Sequence, residues 1–168
     1  MEDKKYFSRQ IDESLMAWKN STRHKPLLLR GARQVGKSSS VRHLAKQFDN
    51  FVEINFERKP AYLEIFKGDR DAKHIVEMIK SITGEPIVPG KTLLFFDEIQ
   101  MCQEAISSLR FFWEDMPGLH VIAAGSLLEF ALSEIPTFGV GRIHSMFMYP
   151  MSFDEFLNAL GMFSLQKY

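Results

Sequence analysis

Leu27-Leu28-Leu29-Arg30-Gly31-Ala32-Arg33-Gln34-Val35-Gly36-Lys37-Ser38 is an apolar strand running into the pattern G-x-x-x-x-G-K-S. The spacing builds a cradle for phosphate. Gly31 and Gly36 let the backbone turn tightly, so that successive N–H groups point inward at an anion. Lys37 can reach the β- and γ-phosphates, and the Ser38 hydroxyl can ligate Mg²⁺. Val41, Leu44, Ala45 and Phe48 recur at i, i+3, i+4 and i+7, so an amphipathic helix begins where the motif requires one. The positive N-terminus of that helix faces the same anion. The expected nucleotide-contacting stretch is therefore Gly31, Ala32, Arg33, Gln34, Val35, Gly36, Lys37, Ser38 and Ser39. Within it Arg33 is open to three readings: it meets a phosphate, meets an acidic partner, or points into water.

Outward from this stretch, strand and helix alternate. Ile11, Leu15 and Trp18 share one face of a helix over residues 8–20, ahead of a first strand at 26–30. The alternation Val52, Ile54, Phe56 suits a half-buried or edge strand over 51–56. A short helical turn at 62–66 precedes a longer helix that stripes Ile75, Met78, Ile79 and Ile82 and stops at Gly84. Strand three (92–96) is continuously apolar, as expected where helices cover both faces of a parallel sheet. A helix over 103–114 is expected to bury Ile106, Leu109 and Trp113, and strand four follows at 120–124. A short apolar helix (127–132) leads to strand five at 143–149. Ser152-Phe153-Asp154-Glu155 then opens a last helix with a capping box. Five alternations without a repeat give a doubly wound α/β sheet.

The second motif is Leu93-Leu94-Phe95-Phe96-Asp97-Glu98, four apolar residues followed by two acids. Asp97, at the carboxyl end of a buried strand, sits where ligands bind in open α/β sheets. There it can hold the water shell of the Mg²⁺ touched by Ser38, so Ser38 and Asp97 are the expected metal pair. Glu98 is placed to polarise a water for in-line attack on the γ-phosphate. Acids often begin a loop after a strand, but the cradle upstream favours the active-site reading. Ser126, after strand four, can project toward the γ-phosphate if that strand lies between the other two. It can also cap the following helix, and both roles are compatible. Arg142, just before strand five, is either an arginine finger for a neighbouring subunit or one half of a surface ion pair. No N-K-x-D element is present, so ATP is preferred to GTP.

The bulk composition adds boundaries. The chain has 168 residues with 21 basic and 21 acidic side chains, so no net positive field points to nucleic acid. Neutrality leaves self-association or a further partner open. A single cysteine, Cys102, rules out a disulfide framework, and five histidines show no metal-ligand spacing. Neither a signal core nor a membrane span is read in the sequence, and a reducing cytoplasm is the expected setting.

Gly31-Ala32-Arg33-Gln34-Val35-Gly36-Lys37-Ser38, Phe96-Asp97-Glu98-Ile99-Gln100, Ala124-Gly125-Ser126, Gly141-Arg142 and Tyr149-Pro150-Met151-Ser152-Phe153-Asp154-Glu155-Phe156 occur in this order. Together they resemble a bacterial and archaeal family of AAA-type ATPases related to the archaeal and origin-recognition branches. The resemblance spans about residues 8–160. It implies a three-layer αβα P-loop NTPase core with a five-stranded parallel sheet of order 5-1-4-3-2. By position it makes Lys37 and Ser38 the Walker A pair and Asp97 and Glu98 the Walker B pair. Ser126 falls at the sensor 1 position, and Arg142 is the arginine-finger candidate.

The organisation expected is a helical lead-in over 1–25, an ATPase core over 26–150, and the start of a truncated lid over 151–168. Family members usually continue with a helical lid and a C-terminal domain of poorly understood role. An effector domain or partner is therefore expected beyond residue 168. The functional expectation is a Mg²⁺-dependent ATP-binding and ATP-hydrolysing module, able to form homo-oligomers. The alternative is a nucleotide-binding switch or scaffold with little hydrolysis in this truncated form. A small-molecule kinase fits less well, because transfer to a hydroxyl has less need of an acid beside the metal aspartate.

Overall fold

The computed structural model describes residues 6–68, 71–126, 128, 132 and 141–162. The five strands are β1 (Leu27–Arg30), β2 (Asn50–Asn55), β3 (Thr92–Asp97), β4 (His120–Ala124) and β5 (His144–Phe147). They form one sheet of order β2-β3-β4-β1-β5, and all four neighbouring pairs are parallel. Parallel neighbours need crossovers: α2 (Lys37–Ala45) joins β1 to β2, α3 (Ala72–Thr83) joins β2 to β3 and α4 (Gln103–Asp115) joins β3 to β4, while α1 (Ile11–Asn20) precedes β1. A further helix, α5 (Phe153–Ala159), follows β5. The sheet order is the one expected. The helix expected at 127–132 falls largely outside the described residues.

Alternation along the central strands divides the core into two layers. Leu27, Leu29, Leu93, Phe95, Ile122 and Ala124 face α1 and α2, where Leu15, Trp18, Val41 and Leu44 meet them. Leu28, Leu94, Phe96, Val121 and Ala123 face the opposite way, onto α3 and α4. Every residue of β3 and β4 is buried. Each such large side chain contributes about 1.5–3 kcal/mol. The expected edge character of β2 is seen in its position and in its half-buried alternation.

Two helical faces differ from the sequence reading. On α3 the buried stripe is Ala72, Ile75, Val76 and Ile79, while Met78 is 36 % and Ile82 51 % exposed. At about 100° per residue the stripe centres between Ile75 and Val76, which turns Met78 and Ile82 toward its rim. On α4 the core residue is Phe112, 1 % exposed, completing the row Ala105, Leu109, Phe112. Trp113 lies half-buried beside it, with the Lys25 ammonium 6.0 Å from its ring. Phe111, Phe112 and Trp113 run consecutively, and of the three only Phe112 is fully buried.

The pairing register aligns the carboxyl ends of the central strands. Leu29 and Asp97 are both level with Ala124, and Asn55 is level with Asp97. The segments leaving β1, β3 and β4 therefore emerge along one edge. Among the described residues no helix is long and apolar enough to cross a membrane.

Candidate functional site

Between β1 and α2 the chain loops at that edge with positive φ at Gly31 (+144°), Gln34 (+61°) and Gly36 (+102°). Gly31 is required for a second reason. A Cβ there would lie 2.3 Å from the Met148 carbonyl oxygen, so the segment leaving β5 forms the floor of the loop. The backbone of the loop is thus pinned from below.

Lys37 opens α2 and is 8 % exposed. Its ammonium folds back over the loop, donating to the carbonyls of Gly31 at 2.9 Å and Ala32 at 2.6 Å. Burial lowers its pKa, and the carboxylates of Glu98 and Asp97 oppose that shift. Ser38, one residue on, donates its hydroxyl to Asp97 Oδ1 at 2.9 Å. Two segments far apart in sequence thus meet side chain to side chain.

Asp97 is 4 % exposed. Burial raises its pKa, and Glu53 and Glu98 add to the rise, while the hydrogen bond from Ser38 opposes it. The Asn55 amide donates to Oδ2 at 3.0 Å, and the Glu98 N–H donates to Oδ1 at 3.1 Å. Arg42 stands 3.7 Å from Oδ2, but its guanidinium is committed to Glu53 by bonds of 2.9 Å and 2.6 Å. Such a carboxylate gains from a cation. Adjacent oxygens around an octahedral Mg²⁺ lie about 2.9 Å apart for metal–oxygen bonds near 2.05 Å. The Ser38–Asp97 separation suits that hard, oxygen-only coordination.

Glu98 holds a left-handed conformation, φ +54° and ψ +43°, which is strained for a residue with a Cβ. Its carboxylate accepts from Gln100 Nε2 at 2.6 Å. The other end of that amide, Gln100 Oε1, is buried without a partner among the described residues. It packs on Gly125, where a Cβ would come within 2.3 Å of it. Gln100 therefore links the acid after β3 to the glycine after β4. Ser126 follows that glycine and is 6 % exposed, on the same edge as the loop and Asp97.

Arg142 lies elsewhere. It precedes β5, whose first residue His144 is level with Leu27 at the amino-terminal edge of the sheet. Its guanidinium pairs with Glu114 at 2.9 Å, both side chains being well exposed. Arg33 is 72 % exposed and stands 3.6 Å from Glu57. The structure thus gathers Gly31–Ser39, Asp97, Glu98 and Ser126 at one edge and leaves Arg142 at the other.

Several residues at this edge were not read from the sequence. Asn55 and Gln100 touch the acids directly, and Arg42 with Glu53 flanks them. Asn55 could have been found once β2 was placed beside β3, since it is the last residue of its strand. Gln100 lies within the quoted motif, but its partners, Glu98 and Gly125, become visible only once β3 and β4 are side by side.

Comparison with known proteins agrees with this architecture. A family model described as AAA domain matches residues 23–157, from just before β1 to within α5. No curated protein matches the chain. With the sheet order, the phosphate-type loop and the paired acids already in place, a match across most of its length means that the chain belongs to the AAA domain family, as an AAA-type ATPase domain.

Proposed function

We propose that this domain binds ATP with Mg²⁺ at Gly31–Ser39 and hydrolyses it, with Glu98 polarising the attacking water. The observation that carries the reading is the 2.9 Å contact between Ser38 Oγ and Asp97 Oδ1. It brings a phosphate-loop hydroxyl and a strand-end carboxylate to one point, and both are ligands of the kind Mg²⁺ selects. When bound, the cation would screen the phosphate charge and orient the oxygens.

In this reading the Lys37 ammonium exchanges the Gly31 and Ala32 carbonyls for β- and γ-phosphate oxygens. The loop amides and the start of α2 hold the remaining oxygens. Beside the loop, Tyr6, Phe7, Gly36, Ser39, His43 and Met151 border a cavity of about 560 Å³. That volume suits a nucleoside. Ser126 would face the phosphate being cleaved. Arg142 would act only on the nucleotide of a neighbouring copy, so the arginine-finger reading requires a homo-oligomer. A reducing cytoplasm fits the lone buried Cys102, whose thiol is pushed up to about 11, chiefly by burial.

A second reading is a nucleotide-dependent switch with little turnover. It is favoured by the engagement of Glu98 with Gln100 and of Arg142 with Glu114. Single-turnover measurement separates the two. Lys37→Ala should abolish calorimetric ATP binding. Glu98→Gln should keep ATP binding and remove hydrolysis. Equal ATP affinity in Lys37→Ala would overturn the cradle, and unchanged cleavage in Glu98→Gln would overturn the role of Glu98.

A further inference from the structure

Arg9 precedes α1 and is 9 % exposed, an unusual burial for an arginine. Its guanidinium makes three bonds to three distant segments. Nη1 donates to the Val35 carbonyl at 2.7 Å, Nη2 to the Tyr149 carbonyl at 2.9 Å, and Nε to Glu155 Oε1 at 3.0 Å. Glu155, on α5, is itself 7 % exposed. Its Oε1 also accepts from the Gln10 amide at 2.8 Å, and its Oε2 accepts from the Ser152 amide at 2.7 Å. The pair therefore ties the segment before α1 and the start of α5 to the phosphate loop itself.

The bond to Val35 has a geometric consequence. In a trans peptide the C=O and the following N–H point in opposite directions. The chain has no cis peptide among its described residues. Holding the Val35 carbonyl outward therefore turns the Gly36 N–H to the opposite side, into the cradle. The space behind Gly36 is closed by the same groups, since a Cβ there would lie 3.3 Å from Arg9 Nη1 and 3.5 Å from Met148 Cε. A charge-assisted bond from a planar fork fixes direction more tightly than a neutral one. Glu155 holds the fork in place. Burial would raise its pKa, but bonds from the Ser152 and Gln10 amides and from Arg9 bring it below the ordinary glutamate value.

We propose that the buried Arg9–Glu155 pair is a positioning element of the phosphate loop, setting the Val35–Gly36 peptide for anion binding and coupling the seating of α5 to phosphate affinity. This rests on the cradle reading above, and it adds residues 9 and 155, which lie outside the phosphate-loop and paired-acid motifs, to the site. The role is indirect: Arg9 borders the cavity beside the loop, but its three guanidinium nitrogens are committed to Glu155, Val35 and Tyr149.

The test is calorimetry on the full chain with two probes, Mg-ATP and Mg-tripolyphosphate, the second lacking base and ribose. Arg9→Met should weaken both by about tenfold or more and to the same extent. Glu155→Gln keeps an acceptor and the helix cap but loses the charge, and should weaken both by about threefold or more. It also covers the case in which Arg9→Met does not fold. Ile79→Ala, which truncates a fully buried α3 residue away from the pair, is the destabilised control and should leave both affinities within about twofold. In amide NMR spectra the Gly36 resonance should move in the Arg9 and Glu155 variants and stay fixed in the control. Wild-type affinity in Glu155→Gln, or a loss no larger than that of Ile79→Ala, overturns the proposal while leaving the cradle intact. Wild-type protein that binds neither probe overturns the cradle reading and the role of the pair together.

Discussion

Gly31→Ala probes the floor of the phosphate loop. The added methyl would lie 2.3 Å from Met148 O and 3.3 Å from its carbonyl carbon. That is roughly 1 Å inside ordinary van der Waals contact. Met148 cannot retreat easily, because its N–H donates to the Arg30 carbonyl at 2.8 Å and its side chain is 2 % exposed. The loop must therefore rise by about 1 Å, and a displacement of that size at a preorganised site costs on the order of 10²-fold. In binding terms this is about 2.7 kcal/mol. A φ of +144° adds backbone strain of about 1–3 kcal/mol to the cost in folding stability.

Gly84→Ala supplies the comparison. It has φ +73° at the end of α3 and nothing within 4 Å of the added methyl, so only the backbone cost of about 1 kcal/mol remains. Urea unfolding and ATP calorimetry on both variants separate the effects. A Gly31→Ala variant that loses no more stability than Gly84→Ala and binds ATP as wild type does would refute the steric role of Met148.

Three more outcomes are expected. His24 and His120 stack at 3.6 Å, and His24 is lowered to about 4, first by burial and then by the His120 charge. The unfolded chain binds this proton below about pH 6.5 while the folded chain does so only near 4, so roughly 3 kcal/mol of stability disappears as pH falls through that window. His24→Phe should flatten that slope in unfolding titrations, and an unaltered slope would contradict the assignment. For Asp97 the sign is reversed: its folded pKa is raised, so the ionised carboxylate opposes folding at neutral pH. Asp97→Asn should raise the melting temperature in chelator yet remove the Mg²⁺ dependence of ATP binding; a lower melting temperature would count against the burial argument. On α3, Ile79→Ala should cost about 2–5 kcal/mol and Ile82→Ala about 0.5 kcal/mol or less in urea unfolding. Equal losses would show that the buried face is misassigned.

The parts of the site legible in the sequence are those whose chemistry is local. Gly31, Gly36, Lys37 and Ser38 are contiguous, and Asp97 with Glu98 ends an apolar run, so spacing and residue type carry the reading. Apolar character alone does not fix a helix's rotation against the sheet, so the stripe read on α3 departs from the buried face. Met78 and Ile82 match the period but lie off the contact line. Asn55, Arg42 and Glu53 reach Asp97 only once β2 is laid beside β3. Arg9 and Glu155 are farther still from any local signal. Glu155 was legible as a helix cap, a role it does fill, and the capping pattern gave no hint of its second partner 146 residues away. Ser126 was legible only through strand order, which the family resemblance supplied.

The central claim is that one magnesium-bound triphosphate is shared by the loop and the strand-end acid. A crystal structure with Mg²⁺ and a non-hydrolysable ATP analogue tests it most directly. The expected result is a cation bound by Ser38 Oγ at about 2.1 Å, with Asp97 in its shell directly or through water. Lys37 Nζ should have left the Gly31 and Ala32 carbonyls for the phosphates. A nucleotide seated elsewhere, or a Lys37 ammonium still bonded to those two carbonyls beside an occupied loop, would contradict the account.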